Sequence, residues 1–287
     1  MIHLPVDHEK LARAIEERKP TWTTRAKTEM KKNRTAGKYV SKNDLWGEIK
    51  PIFVAHQFEK CAYCERRLGE AGIEWDLEHF RPKKEVKEWV PPPDEPMSTG
   101  GADENGYFLL AFDPRNYLAA CKTCNTMHKG NYFPIAGQRV ATAPDVASTR
   151  DERPYLLNPL DGEDPPPETL IDFFAVIPRA KEGRQEERRR AIATIKVLGL
   201  IRPDLDLGRA EKIMSMWIAL GLLQSLDPDK REEAREYVEM ATRADSPFAS
   251  CARSFVDLYE EDPVKAREIW QEAKDFAMPN PSRQRLE

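Results

Sequence analysis

Two stretches decide how this chain is read: CAYCERRLGEAGIEWDLEHFRPK, residues 61–83, and RNYLAACKTCNTMHKG, residues 115–130. Each carries one Cys-x-x-Cys pair, Cys61/Cys64 in the first and Cys121/Cys124 in the second. Two intervening residues let both thiolates of a pair reach one metal from a tight turn, and four thiolates complete a tetrahedral zinc site. Such a site is structural, because no coordination position is left for a substrate. The competing reading is four reduced cysteines that never meet. The 56 residues between Cys64 and Cys121 make an unusually long separation. Much of it is VPPPDEPMSTGGADENG, residues 90–106, whose Pro, Gly and acidic content predicts a loop or insertion. The fifth cysteine, Cys251, lies among Ala and Ser at helical spacing and reads as a small core residue.

Composition bounds the rest. The chain has 287 residues, 40% hydrophobic and 33% charged, which predicts a soluble globular protein of one or two domains. No apolar run approaches the roughly 20 residues of a membrane helix. The opening MIHLPVDHEKLARAIEERK has no signal-peptide core, so a cytoplasmic protein with no membrane contact is expected. There, paired cysteines read as metal ligands before disulfides. A net charge of −4 argues against a uniformly basic nucleic-acid binder but leaves room for a local basic face. Residues 25–42 are such a place. Arg25, Lys27, Lys31, Lys32, Arg34, Lys38 and Lys42 face only Glu29, a segment charge of +6. It reads either as a solvated helix face or as a phosphate-contacting surface.

The pattern predicts a mainly α protein in four parts. Residues 1–58 are helical, with Leu11, Ala14 and Ile15, then Leu45, Ile49, Ile52 and Phe53, at helical spacing; Pro51 marks a start or a kink. Residues 59–135 hold the cysteine pairs, two short extended runs at 74–80 and 107–112, and a helix from about 121 to 130. Residues 136–181 are an irregular connection. Residues 182–287 are helical, with Asp227-Pro228 and Asp262-Pro263 as helix starts.

The chemistry lies between and beside the cysteine pairs. Glu78-His79 ends an alternating strand, and Asn125 follows Cys124 directly. A hard divalent ion takes oxygen ligands, which Glu78 and the Asn125 amide would supply. A neutral His beside it suits a general base.

These residues resemble the zinc-knuckle HNH endonucleases: CAYCERR, LEHFRPK, and RNYLAACKTCN with HKG. The resemblance implies a ββα-metal unit with a structural zinc, flanked here by helical regions. It implies His79 as general base and Glu78 and Asn125 as ligands of a catalytic Mg²⁺ or Mn²⁺. It implies Asn116 as the residue that orients the loop holding His79. The third letter is Asn instead of His, which favours magnesium-type ions. Beyond the motif, YLLNPLDGEDPP and RRAIATIKVLGLIRPDLDLGRAEKI are similar to PtuB, the nuclease component of Septu-type anti-phage systems, also found beside some retrons. That family implies a partner, an SMC/ABC-like ATPase of the PtuA type. The match covers roughly residues 45–215; the first 40 residues and the insertion at 91–106 fall outside it.

The implied reaction is hydrolysis of a phosphodiester by water, leaving 5′-phosphate and 3′-hydroxyl ends. It does not use the ribose 2′-hydroxyl, so DNA, the default, and a structured RNA such as tRNA both remain open. Arg81, Lys83, His128 and Lys129 are candidate substrate contacts, with His128 also a possible metal ligand. Asp76 shares a strand face with Glu78 and reads as a solvated charge before an auxiliary ligand. Arg184, Arg188, Arg189 and Arg190 read as a solvated helix face before a second phosphate contact. The rival function is a zinc-stabilised adaptor without catalysis. An adaptor has no need of Glu78, His79, Asn116 and Asn125 together. The chain carries no GxxxxGK[ST] loop, so any ATP dependence is expected from a partner.

Overall fold

Asp7 starts the first helix by accepting from the backbone N–H groups of Glu9 and Lys10, and Leu11 and Ile15 then turn inward. The computed structural model describes residues 1–70 and 72–278. Its elements run α1 (His8–Arg18), α2 (Trp22–Ala36), α3 (Lys50–His56), β1 (Trp75–His79), β2 (Tyr117–Cys121), α4 (Pro167–Leu170), β3 (Ile171–Phe174), β4 (Ile177–Ala180), α5 (Gln185–Val197), α6 (Pro203–Leu222), α7 (Pro228–Thr242), α8 (Ala249–Glu261) and α9 (Pro263–Ala277). The protein is mainly α, as expected, with two separate two-stranded antiparallel sheets. No described helix is long and apolar enough to cross a membrane.

In α2 the buried face runs Trp22, Ala26, Glu29, Asn33. Its polar members hold the loop that follows. Asn33 accepts from the Val40 N–H and donates to the Phe108 carbonyl. Glu29 accepts from Ser41 and Asn43. Pro51 marks a start: a 3₁₀ turn over Leu45–Ile49 leads into α3, with Pro51 in its first turn.

The strand pairing corrects one expectation. Residues 107–112 are not extended; Phe108–Leu110 form a 3₁₀ turn, and the strand lies further on at Tyr117–Cys121. Every residue from Tyr107 to Phe112 is buried, so the run has no alternation from which to read a strand. Asp113 then accepts from the Arg115 N–H and sets the Pro114–Asn116 turn that feeds β2. The pairs run from Trp75 opposite Cys121 to His79 opposite Tyr117. Gln57, at the end of α3, covers the outer edge of β2 by exchanging hydrogen bonds with the Ala119 backbone at 2.7 and 2.8 Å.

The connection read as irregular carries a second hairpin, β3–β4. Its strands have four residues each, one contains Pro178, and Ala175 occupies the left-handed turn position without a glycine. None of the usual hairpin signals is present. The insertion is tied down by α5, where Arg188 pairs with Glu95 and Arg189 donates to the Pro96 carbonyl. Arg184 and Arg190 pair with Glu187 and Asp164.

At the other end, Asp227 and Asp262 cap α7 and α9 ahead of their prolines, as their sequence predicts. Helix α6 is central, packed by α7, α8 and α9 around Ala210, Ile213, Met216, Phe255 and Ile269, with Trp217 stacked on Trp270 at 5.2 Å. Cys251 is buried in this cluster, and burial pushes its thiol up to about 12, as suits an inert core residue.

One glycine joins this half to the zinc-knuckle half. Gly199, just past α5, has φ +55°, and a Cβ there would lie 2.2 Å from the His128 imidazole. Gly199→Ala should therefore destabilise the protein by about 1–3 kcal/mol. Gly221→Ala, in α6 with open space around it, should be neutral or stabilising by up to about 1 kcal/mol. Urea unfolding of the two variants checks the contrast.

Candidate functional site

The turn between α3 and β1, which carries Cys61 and Cys64, meets the end of β2 and the turn after it, which carry Cys121 and Cys124. Their sulfurs all lie within 4.8 Å of one another, and all four residues are buried. Cys64 Sγ and Cys121 Sγ are 3.8 Å apart, far beyond the roughly 2.05 Å of a disulfide. Sulfurs bound to one tetrahedral zinc at about 2.3 Å would be separated by about 3.8 Å. The set fits a structural zinc ion. The sulfurs of Cys124, Cys61 and Cys64 hold the Cys121 thiol well below its ordinary value. Two donors reach the cluster: the Cys121 N–H to Cys61 Sγ at 3.4 Å, and the Arg202 guanidinium to Cys124 Sγ at 3.3 Å.

The cluster is anchored outward as well. Buried Lys60 donates to the carbonyls of Ala244 and Ser246. Glu65 accepts from the Ser250 N–H and hydroxyl. Arg66 pairs with Asp204. The knuckle thus fastens the hairpin to α6 and α8.

At the far end of β1 lie Glu78 and His79, both buried. The His79 ring packs edge-on against Trp46 and Tyr117, at 4.8 and 4.9 Å. Its Nε2 is 3.0 Å from the Ala111 carbonyl, an acceptor only, so Nε2 carries the proton. Nδ1 then holds the lone pair and accepts from Lys83 Nζ at 3.3 Å. Burial, then the Lys83 charge, holds the imidazole well below its ordinary pKa, so it is neutral. Burial pulls the Lys83 ammonium down too, and it lies 4.5 Å from the Trp46 ring.

Asn116 is fully buried and clamps the chain just past His79. Its Oδ1 accepts from the Arg81 N–H at 2.7 Å, its Nδ2 donates to the Arg81 carbonyl at 3.0 Å, and its own carbonyl accepts from the Phe80 N–H. This is the geometry of a residue that fixes the His79 loop.

Glu78 is met by Lys129, whose Nζ lies 2.5 Å from Oε1 and 3.2 Å from the His79 carbonyl. Burial raises the Glu78 pKa, and Lys129 opposes that rise. Asn125 is half-buried, inside a seven-residue π-helical turn over Thr123–Lys129 that replaces the expected α-helix; its carbonyl accepts from the Gly130 N–H at 2.7 Å. Such turns recur at functional sites. Glu78 and Asn125 carry oxygen atoms of the kind a hard divalent ion takes, and in this structure the Glu78 carboxylate is engaged by the Lys129 ammonium.

The other candidates separate. Lys83 stands at His79. Lys129 is wholly buried on Glu78. Arg81 is buried, with Nε 3.4 Å from Glu152 and its guanidinium 5.2 Å from the Phe133 ring. His128 packs beneath Gly199 near Arg202. Asp76 pairs with Lys50 at 2.8 Å and remains half exposed. Sequence reading missed Trp46, the Ala111 carbonyl and Arg202. Only Arg202 had a local signal, a cation within the similar segment after α5.

Comparison with known proteins now bears on the site. The chain resembles Septu protein PtuB. The relative, from Bacillus mycoides (strain KBAB4), is 36% identical over 169 residues, which is 58% of this chain and 51% of the relative. The chain thus spans about half the length of the curated relative it matches. No family model matches the chain, and no solved structure matches it.

Removing one thiolate leaves an incomplete tetrahedron and an unanchored hairpin. Cys61→Ser should lose bound zinc, measured by elemental analysis, and melt well below the wild type. Unchanged metal content and melting temperature would refute the cluster as a zinc site.

Proposed function

We propose that this protein is a metal-dependent HNH endonuclease that hydrolyses nucleic-acid phosphodiester bonds, and that it serves as the effector nuclease of a Septu-type anti-phage complex with a PtuA-like ATPase. The observation that carries the reading is the state of His79: neutral, its Nε2 proton committed to the Ala111 carbonyl, and its Nδ1 lone pair at the end of β1. A histidine held that way is a base with a fixed proton-accepting atom. PtuB likeness and the zinc-knuckle spacing support the same reading.

In this mechanism Nδ1 takes a proton from the water that attacks phosphorus in line. Lys83 occupies Nδ1 in the resting arrangement; when it turns to a phosphate oxygen, the water takes its place. Asn116 holds the Phe80–Arg81 backbone, so the imidazole cannot drift from the attack line. Glu78 and Asn125 would hold Mg²⁺ or Mn²⁺, which supplies charge neutralisation at the phosphate and the leaving oxygen. Lys129 fixes the Glu78 carboxylate from its buried side. DNA is the default substrate and a structured RNA such as tRNA the alternative.

The test is cleavage of DNA and total RNA with Mg²⁺ or Mn²⁺, with and without the ATPase. His79→Ala should lower the rate by about 10²–10⁴ with folding and zinc unchanged. Near-normal cleavage by this variant would remove His79 as the base.

Glu78→Ala and Asn125→Ala should fail differently, because they weaken an ion and leave the base in place. Asn125→Ala should regain part of its activity at high Mn²⁺, and Glu78→Ala should regain less. A zinc-stabilised adaptor is the alternative; it predicts no cleavage by any preparation, with the ATPase and nucleotide present.

A further inference from the structure

We propose that the exposed face of α2 and the loop after it form a nucleic-acid backbone track leading to His79, an inference that rests on the nuclease reading. Residues 25–42 carry +6 while the whole chain carries −4, so everything outside this segment carries −10. The segment is therefore the positive island of an acidic molecule.

Its cations divide by geometry. Arg25 and Lys32 are spent on ion pairs, with Glu48 at 2.5 Å and Glu29 at 2.7 Å. Lys27, Lys31, Arg34, Lys38 and Lys42 are exposed and have no ion-pair partner among the described residues. Elsewhere exposed cations divide: Arg179, Lys230 and Arg235 pair with Asp172, Asp227 and Glu232, whereas Arg13, Lys19, Arg67, Lys196, Arg267 and Lys274 have no ion pair among the described residues but lie scattered over the chain.

The free cations are also aligned. Lys27, Lys31 and Arg34 fall within about 60° of arc around α2, turned away from the buried Trp22, Ala26, Glu29 and Asn33. They span about 10 Å along the axis, close to three steps of a duplex strand at about 3.4 Å each. Asn33, bonded to Val40 and Phe108, fixes the helix and the loop after it against the 3₁₀ turn at Phe108–Leu110.

Continuity with the site comes through Tyr39. Its ring stacks on Phe112 at 6.4 Å and is flanked by Lys84 at 5.4 Å and Lys83 at 5.9 Å. Lys83 is the residue on His79 Nδ1. Lys38 precedes Tyr39 directly in the chain and follows the C-terminal end of α2, so the proposed track runs from Lys83 and Lys84 across Tyr39 to that helix. DNA and RNA share this chemistry, so the track itself does not choose between them.

The test measures binding of a short labelled DNA duplex and a labelled tRNA transcript, each across a salt series. The triple variant Lys27→Gln/Lys31→Gln/Arg34→Gln should bind at least about tenfold more weakly. Its log–log salt slope should be shallower by about 2–3, since each duplex phosphate contact contributes about 0.9. The arm in which the loss occurs identifies the nucleic acid. Zinc content and melting should not change, and Lys230→Gln/Arg235→Gln on α7 should bind like the wild type.

If the triple variant binds and cuts both nucleic acids as the wild type does, the track is refuted while the nuclease stands. The same holds if it loses only the ATPase, which would make the stripe a protein-docking face. If the wild type binds with the steeper slope but cuts neither, with the ATPase present, the nuclease reading falls and the track survives.

Discussion

Four sulfurs within 4.8 Å of one another constrain almost everything else in this molecule. They close a chain segment of 56 residues between Cys64 and Cys121, and bonds to a shared ion would offset the entropy that closing so long a loop costs. Binding one ion there makes metal affinity part of folding free energy. The closure also fixes register, because Cys121 pairs with Trp75 at the start of the hairpin. Strand faces alternate with a period of two, so a slip of one residue would turn Glu78 and His79 to the opposite faces. The cysteine cluster thus determines where His79 points.

The second theme is buried charge held in pairs. Glu78 with Lys129, and Arg81 with Glu152, sit in side chains at most 8% exposed. Glu152 also accepts from the Tyr107 hydroxyl and the Val140 N–H, so its charge is fully engaged. Buried pairs contribute little net stability, but removing one partner is costly. Their value here is orientation. Glu78 and Arg81 bracket His79 and Phe80, and each is held by a partner from a different part of the chain. Lys83 and Lys129 also bias the site electrostatically: both disfavour protonation of His79, and both favour an arriving phosphate.

Local chemistry made some of this legible in sequence and left the rest hidden. Cysteine spacing, Asp-Pro helix starts and the Glu78-His79 strand end are signals carried within a few residues, and each lies where its pattern points. The role of Asn116 came from resemblance, and its double hold on Arg81 has the matching geometry. What stayed hidden depends on residues far apart in sequence. Nothing near His79 announces Trp46 or the Ala111 carbonyl. The all-buried run 107–112 gives no periodicity, so the second strand was displaced by ten residues from its expected start at 107 to Tyr117. Lys129 reads in sequence as a candidate substrate contact, and only the fold turns it inward to Glu78.

The distribution of charge then bears on how a polyanion would meet such a site. A chain that carries −10 outside one segment repels nucleic acid over most of its surface. Beyond about 10 Å at ordinary ionic strength that repulsion is screened, so it selects orientation only in close encounters. In those encounters the proposed track on α2 would be favoured, because Lys27, Lys31 and Arg34 have no ion pair among the described residues. Lys83 then matters twice. Its Nζ lies 3.3 Å from His79 Nδ1, and burial has already weakened its hold on its proton. Moving such an ammonium from His79 to a phosphate exchanges a neutral acceptor for an anionic one, and anionic acceptors make the stronger hydrogen bond. If His79 serves as the base, arrival of a phosphate would free Nδ1 and tie its readiness to occupancy of the site.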